Sequence, residues 1–148
     1  MSDIYSMPGH LVRRLQQIAV AIFRAEVLKA GYDLTPVQYA ALVVIIANPG
    51  IGQAALAGLI AYDRTTIGGV VDRLVHKGWL RREVSESDRR AHILHATGQG
   101  EEVVSEIGPA VKAAQQLMLQ GLEPAEVEEF LRLLRKAIGP VDDTDPAP

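Results

Sequence analysis

The sequence predicts a mainly α-helical chain carrying one small β-hairpin, and three observations predict it. Residues 63–77 place Ile67, Val70, Val71, Leu74 and Val75 at i, i+3, i+4, i+7 and i+8, one apolar stripe on a helix. Gly78 stops that helix. Two strand-like runs, 79–84 and 91–96, then flank a polar six-residue segment, 85–90, as in a hairpin with an exposed tip. A second short helix, 53–61, precedes the first. Two short helices followed by a basic hairpin outline a winged helix-turn-helix, with further helices left over at both ends.

Taken in order, residues 1–8 read as irregular. Leu11, Leu15, Ile18, Ala19, Ile22 and Phe23 mark one long amphipathic helix from 9 to 30, ended by Gly31. Thr35, Pro36 and Gln38 form a helix start: an N-cap, a proline at the first helical position, and an amide that reaches back. That helix runs to about Ala47 and is apolar nearly all round, so it is expected to be buried. Asn48-Pro49-Gly50 is a turn. In 53–61, Ala54, Leu56, Ala57, Leu59 and Ile60 face inwards. Asp63 is the N-cap of the next helix, since its carboxylate accepts first-turn N–H groups. After the hairpin, Thr97 caps a helix to about Gln120, with a kink or break expected at Gly108-Pro109. Pro124 opens the last helix, whose stripe is Val127, Phe130, Leu131, Leu134 and Ile138. Residues 140–148 are acidic and proline-rich and read as a disordered tail.

The organisation is therefore an N-terminal helical segment (1–34), a winged helix-turn-helix lobe (35–97), C-terminal helices (98–139) and the tail (140–148), together one integrated domain. No window approaches the ~18–20 apolar residues of a membrane span, and no basic-then-apolar leader opens the chain. With no cysteine, disulfides, zinc–thiolate sites and thiol sensing are excluded. A cytoplasmic protein without a membrane role is the expectation.

The net charge of −3 is unevenly spread. Residues 62–97 hold seven basic side chains (Arg64, Arg73, Lys77, Arg81, Arg82, Arg89, Arg90) against five acidic, whereas residues 98–148 hold four against ten. The acidic excess lies away from the basic helix face and hairpin tip, so the overall sign does not exclude nucleic acid. Enzyme chemistry is excluded by what is missing. The sequence has no Ser-His-Asp order, no phosphate-binding glycine loop and no paired carboxylates in a likely cleft. Gly98-x-Gly100 lacks the third glycine and the preceding strand of a dinucleotide site. His10, His76, His92 and His95 are scattered, and His92 and His95 fall on opposite faces of a strand. No cofactor and no metal are expected.

The lobe needs only residues 35–97. The remaining helices, in a chain of mean hydropathy +0.10 with 22% charged residues, carry more apolar surface than a small body hides. A two-fold homodimer built from those helices resolves this, and sets two recognition helices on successive major grooves of a palindrome.

The strings LTPVQYAAL, GQAALAGLI, YDRTTIGGVVDRLVHKGWLRRE and SDRRAHILHATGQG, in this order, resemble the MarR family of bacterial transcriptional regulators over about residues 9–139. The resemblance implies a dimeric winged-helix repressor or activator of palindromic operators in double-stranded DNA. It also implies an effector pocket between the dimer helices and the DNA-binding lobe, often filled by phenolic or aromatic acids and in part of the family by a coenzyme A thioester. Carried over by residue, it puts Arg64, Thr65 and Thr66 at the start of the recognition helix facing DNA, and Arg73 and Lys77 on phosphates. Arg90 becomes the minor-groove arginine of the wing, Asp88 holds the tip through an ion pair, and Arg89 meets phosphate. Gln38 and Gln53 are further phosphate contacts.

One departure matters. Many relatives carry polar or basic side chains where this chain has Gly68 and Gly69. These glycines weaken the helix, admit close backbone approach and read no base edge by a side chain. Specificity then falls to Arg64, Thr65, Thr66 and the wing, with help from DNA shape. For a small aromatic acid or its thioester, His10, Arg13 and Arg14 offer a positive rim, Tyr39 a hydrogen bond, and Ile22, Phe23 and Leu42 an apolar lining. The competing reading is a winged-helix protein–protein interaction module without DNA binding. It would not need basic residues on both the helix face and the wing.

Overall fold

The computed structural model describes residues 3–60 and 64–140, the side chain of Arg64 excepted. The expected Asp63 cap and the tail beyond residue 140 lie outside the described residues. A 3-10 turn (Ile4–Ser6) leads into α1 (Pro8–Lys29), which opens on a proline whose missing donor costs nothing there. It closes where Gly31 turns left-handed (φ 94°): the N–H groups of Gly31 and Tyr32 return to the carbonyls of Leu28 and Val27. Then follow α2 (Pro36–Ala47), β1 (Ile51–Gly52), α3 (Gln53–Leu59) and α4 (Arg64–His76). After them come β2 (Leu80–Val84), β3 (His92–Ala96), α5 (Gly98–Met118) and α6 (Pro124–Ile138).

The chain divides into two compact units. One contains residues 3–35 and 107–140, the other residues 36–60 and 64–106. In the second, α2, α3 and α4 pack on one another and α2 packs on β3. Its buried side chains include Ala41, Leu42, Ile45, Leu56, Ile67, Val71, Leu74, Leu80 and Leu94. The stripe read for α4 is the face it buries. Ile67, Val71 and Leu74 are fully covered, Val70 nearly so, and Val75 for the greater part. Gly78 (φ 81°) ends α4 as anticipated: the N–H groups of Gly78 and Trp79 bond back to the carbonyls of Val75 and Leu74.

Two details differ from the sequence reading. The hairpin is a three-stranded antiparallel sheet of order β1-β3-β2, because Ile51 pairs with Leu94 and Gly52 with Ile93. A two-residue strand shows no alternation, so no pattern announces it. Of the kink or break expected at Gly108-Pro109, a break does not occur: α5 runs from Gly98 to Met118 as one element with Pro109, which has no N–H to donate, inside it.

In the first unit α6 is capped reciprocally. The Glu123 N–H donates to Glu126 Oε1 at 2.9 Å, and the Glu123 carboxylate accepts from the Glu126 backbone. No α6 side chain among those described is buried. Instead, Val127, Phe130, Leu131 and Leu134 line a groove of about 830 Å³ with Met118, Leu119 and Leu122. Ile4, Tyr5, Met7, Leu11, Val12 and Ile18, from the start of the same unit, are also exposed. Among the described residues no helix is long and apolar enough to cross a membrane.

Candidate nucleic-acid interface

The outer face of α4 is built by the helix period. With Ile67, Val71 and Leu74 turned into the core, Thr65, Thr66, Gly69, Asp72, Arg73 and His76 are left exposed. Gly68 is half-buried beside α3, where a Cβ would sit 3.6 Å from the Gln53 amide nitrogen. Arg73 and His76 occupy the last turn, where cations suit the helix dipole. Lys77 lies just beyond, its ammonium 4.7 Å from the centre of the Trp79 ring, a cation–π contact.

The wing follows from β2 and β3, paired from Leu80↔Ala96 to Val84↔His92. Asp88 organises the tip, but not through the ion pair anticipated for it. Its carboxylate accepts the backbone N–H of Arg90 at 3.0 Å, and its carbonyl accepts the N–H of Ala91 at 3.0 Å. The Arg89 and Arg90 side chains are exposed. A cleft of about 310 Å³ brings Asp88 and Arg90 together with Gln53 and Ile67. Gln53 is half-buried, and its Oε1 has no donor among the described residues. Gln38 departs from its assignment. It is only 5% exposed on α2, which leaves little of it for a phosphate to reach.

Sequence reasoning missed two structural links around this face. Arg82 on β2 donates to Asp72 on α4 at 2.6 Å, tying the wing root to the outer face of the helix. The Arg82 Nε is buried without a partner among the described residues. The other link runs from Thr97, expected only as the cap of α5, to the end of α4. The Thr97 hydroxyl donates to the Gly78 carbonyl at 2.6 Å and accepts the Gly100 N–H at 3.1 Å, while the Thr97 N–H donates to the Trp79 carbonyl at 3.0 Å. One residue thus caps α5 and fastens it to the end of α4. Gly100 is buried against Trp79, and any Cβ there would overlap the Trp79 carbonyl oxygen. The T-x-x-G spacing was the signal for this joint.

The residues assigned to an effector fall in both units. His10, Arg13, Arg14, Ile22 and Phe23 belong to the first, and Tyr39 and Leu42 to the second. On α1 the Arg13 guanidinium donates to His10 Nδ1 at 3.2 Å, and the His10 ring stands edge-on to Tyr5 with centroids 5.9 Å apart. Arg14 is exposed, Ile22 and Tyr39 half-buried, and Phe23 and Leu42 buried. Among the described residues no group of three or more His, Asp or Glu side chains is placed to hold a metal.

The MarR family model matches residues 32–91, the stretch from the start of α2 to the wing. Over 133 residues the chain is 36% identical to a transcriptional regulatory protein assigned to the hcr operon of Thauera aromatica, covering 88% of this chain and 80% of that protein. The chain belongs to the MarR family. Its fold is that of MarR-family transcriptional regulators of known structure. PcaV of Streptomyces coelicolor, in complex with its natural ligand, is 32% identical with a TM-score of 0.83, covering 93% of this chain and 96% of PcaV. BpsR of Bordetella bronchiseptica, whose DNA binding is regulated by 6-hydroxynicotinic acid, is 28% identical with a TM-score of 0.84, covering 95% and 99%. The matched family and relatives are transcriptional regulators.

Proposed function

We propose that this MarR-family regulator is a homodimeric repressor. It grips a palindromic operator with α4 in the major groove and the β2–β3 wing towards the minor groove, and an aromatic acid or its coenzyme A thioester releases it. The observation that carries the reading is that one compact unit exposes Thr65, Thr66 and Arg73 on α4 together with Arg89 and Arg90 at the wing tip. Threonine hydroxyls serve base edges or phosphates in the major groove, and an arginine on a thin hairpin suits the narrower groove. Arg64 joins them through its place in the sequence, at the first residue of α4. Gln53 and Lys77 flank the face.

The dimer reading is supported by the apolar surface of the other unit: exposed Ile4, Met7, Leu11, Val12 and Ile18, and the α6 groove. A second copy covers such surface, and two copies match a palindrome. The effector reading rests on the likeness to PcaV and BpsR and on the α1 cations Arg13 and Arg14 beside His10, a group suited to a carboxylate. Ile22, Phe23, Tyr39 and Leu42 supply apolar and phenolic side chains for such a compound. Repression follows if the dimer occludes a promoter until the effector binds. The protein then works in the cytoplasm, on chromosomal DNA.

The test is selection of genomic fragments by the purified protein and by Arg90→Ala. Enrichment of a palindrome with half-sites about one helical turn apart, lost in the variant, supports the reading. No enrichment at low salt defeats it. Titration of the complex with aromatic acids and their thioesters tests the effector, and no release by any of them refutes that part.

A further inference from the structure

We propose that Gly68 and Gly69 form a notch in the recognition face of α4 that receives the C5-methyl group of a thymine, fixing an A·T pair near the centre of each half-site. The inference rests on the reading above that α4 lies in the major groove.

The first step is that nothing among the described residues requires either glycine. Neither has a positive φ; the glycines that do are Gly31, Gly50, Gly78 and Gly139. A Cβ built on Gly69 meets no atom within 4 Å, and one on Gly68 meets only the Gln53 amide at an ordinary 3.6 Å. Gly100 shows what an internally required glycine looks like, since a Cβ there overlaps Trp79 backbone. Two adjacent glycines in the middle of a 13-residue helix weaken it. The fold tolerates them without using them, which leaves an outside partner as their use.

The second step is position. Thr65, Gly69 and Arg73 follow one another at i, i+4 and i+8, all exposed, so the gap is at the middle of the outward face with a threonine above and an arginine below. A base edge approaching here meets helix backbone directly.

The third step is chemistry. In a helix interior the backbone N–H groups are spent on i→i−4 bonds, so the notch offers α-carbon surface and no hydrogen-bond donor. Its rim carries Asp72, whose carboxylate is 64% exposed even while paired with Arg82. That charge disfavours a phosphate in the notch. The group it fits is apolar and projects from a base edge, and in the major groove that describes the thymine methyl alone.

The experiment takes the operator selected by the wild-type dimer and replaces each half-site thymine singly by deoxyuridine, which removes only the methyl. Burying one methyl corresponds to about fourfold in affinity, so one position is expected to lose about fourfold and the others less. Gly69→Ala is expected to melt no lower than wild type, yet to bind the thymine operator at least about tenfold more weakly. At the sensitive position, deoxyuridine should restore much of that loss, because the new methyl takes the place of the old. Undiminished binding by Gly69→Ala, or a wild type indifferent to deoxyuridine throughout, overturns the inference while leaving the operator reading intact. A wild type that selects no operator overturns both.

Discussion

Thr97→Val is the sharpest test of how the recognition helix is held. Valine keeps the shape of threonine and removes only the hydroxyl. That hydroxyl caps α5 through the Gly100 N–H at 3.1 Å and satisfies the Gly78 carbonyl at 2.6 Å. Loss of an N-cap costs about 1 kcal/mol. Leaving a part-buried carbonyl without its donor costs roughly another 1 kcal/mol. The sum, about 2 kcal/mol, corresponds to a fall of roughly 4–8 °C in melting temperature for a chain of this size. Thermal melting followed by circular dichroism, at one fixed protein concentration because a dimer's midpoint depends on it, reads the effect. Thr97→Ser keeps both bonds and should melt within a degree or two of wild type, about 0.5 kcal/mol. Gly100→Ala drives a methyl into Trp79 backbone that is itself held by the Thr97 N–H, and should cost about 3 kcal/mol or more. A Thr97→Val protein that melts with wild type would refute the reasoning, since the joint would then contribute nothing.

Three further outcomes follow from the same structure. Arg82→Ala and Asp72→Ala should each change stability by under about 1 kcal/mol, as expected for a partly exposed pair. Gel-shift titration should show Arg82→Ala binding DNA more weakly than Asp72→Ala, because only the former leaves an unpaired carboxylate on the DNA face. Equal losses would contradict this. The Arg132 guanidinium, 2.6 and 2.9 Å from the two Glu129 carboxylate oxygens, holds that carboxyl below its usual range. Its contribution is therefore present above the unfolded pKa and lost as pH falls through the folded value. Arg132→Ala should raise the Glu129 titration seen by carbon NMR and lower the neutral-pH melting temperature only slightly, since solvent screens both exposed groups. Leu134→Glu, in the α6 groove, should convert the proposed dimer to monomer in sedimentation experiments; an unaltered dimer would place the interface elsewhere.

What was legible in the sequence was what acts within a few residues. Gly31, Gly78, Pro36 and Pro124 punctuate helices through their own backbone, and each stands where the chain requires it. The α4 stripe was legible because a 3.6-residue period needs no knowledge of the partner it packs on. The Asp72–Arg82 pair was not, because two charges ten residues apart meet only once β2 is folded against α4. Gln38 shows two sequence arguments in conflict. A helix apolar nearly all round was expected to be buried, and burial covers its glutamine along with Ala41, Leu42 and Ile45, while Val43 stays exposed. Its position near a helix start was the weaker argument, and the apolar character of α2 outweighed it. Asp88 was placed at the right turn with the wrong partner, because a short acidic side chain reaches the N–H two residues on more readily than a long guanidinium folds back to meet it.

The net negative charge can now be weighed against DNA binding residue by residue. Of the seven basic side chains in 62–97, Arg81 is committed to Glu83 at 2.8 Å and Arg82 to Asp72, and Lys77 stacks on Trp79. Arg73, Arg89 and Arg90 remain exposed with no ion pair among the described residues, and Arg64 stands at the helix start. Counting Arg73 and Arg89, the exposed arginines assigned to phosphate, gives four cations per proposed dimer. At about −0.9 per neutralised phosphate, the logarithm of operator affinity should fall with the logarithm of salt at a slope near −4. Arg89→Ala, removing two cations from the dimer, should lower the magnitude of that slope by about 2. Arg81→Ala, whose charge is already matched by Glu83, should leave it unchanged. Fluorescence anisotropy across a salt series measures all three. A flat salt dependence in the wild type would mean that these arginines do not meet phosphates, and that the charge segregation along the chain serves something other than DNA.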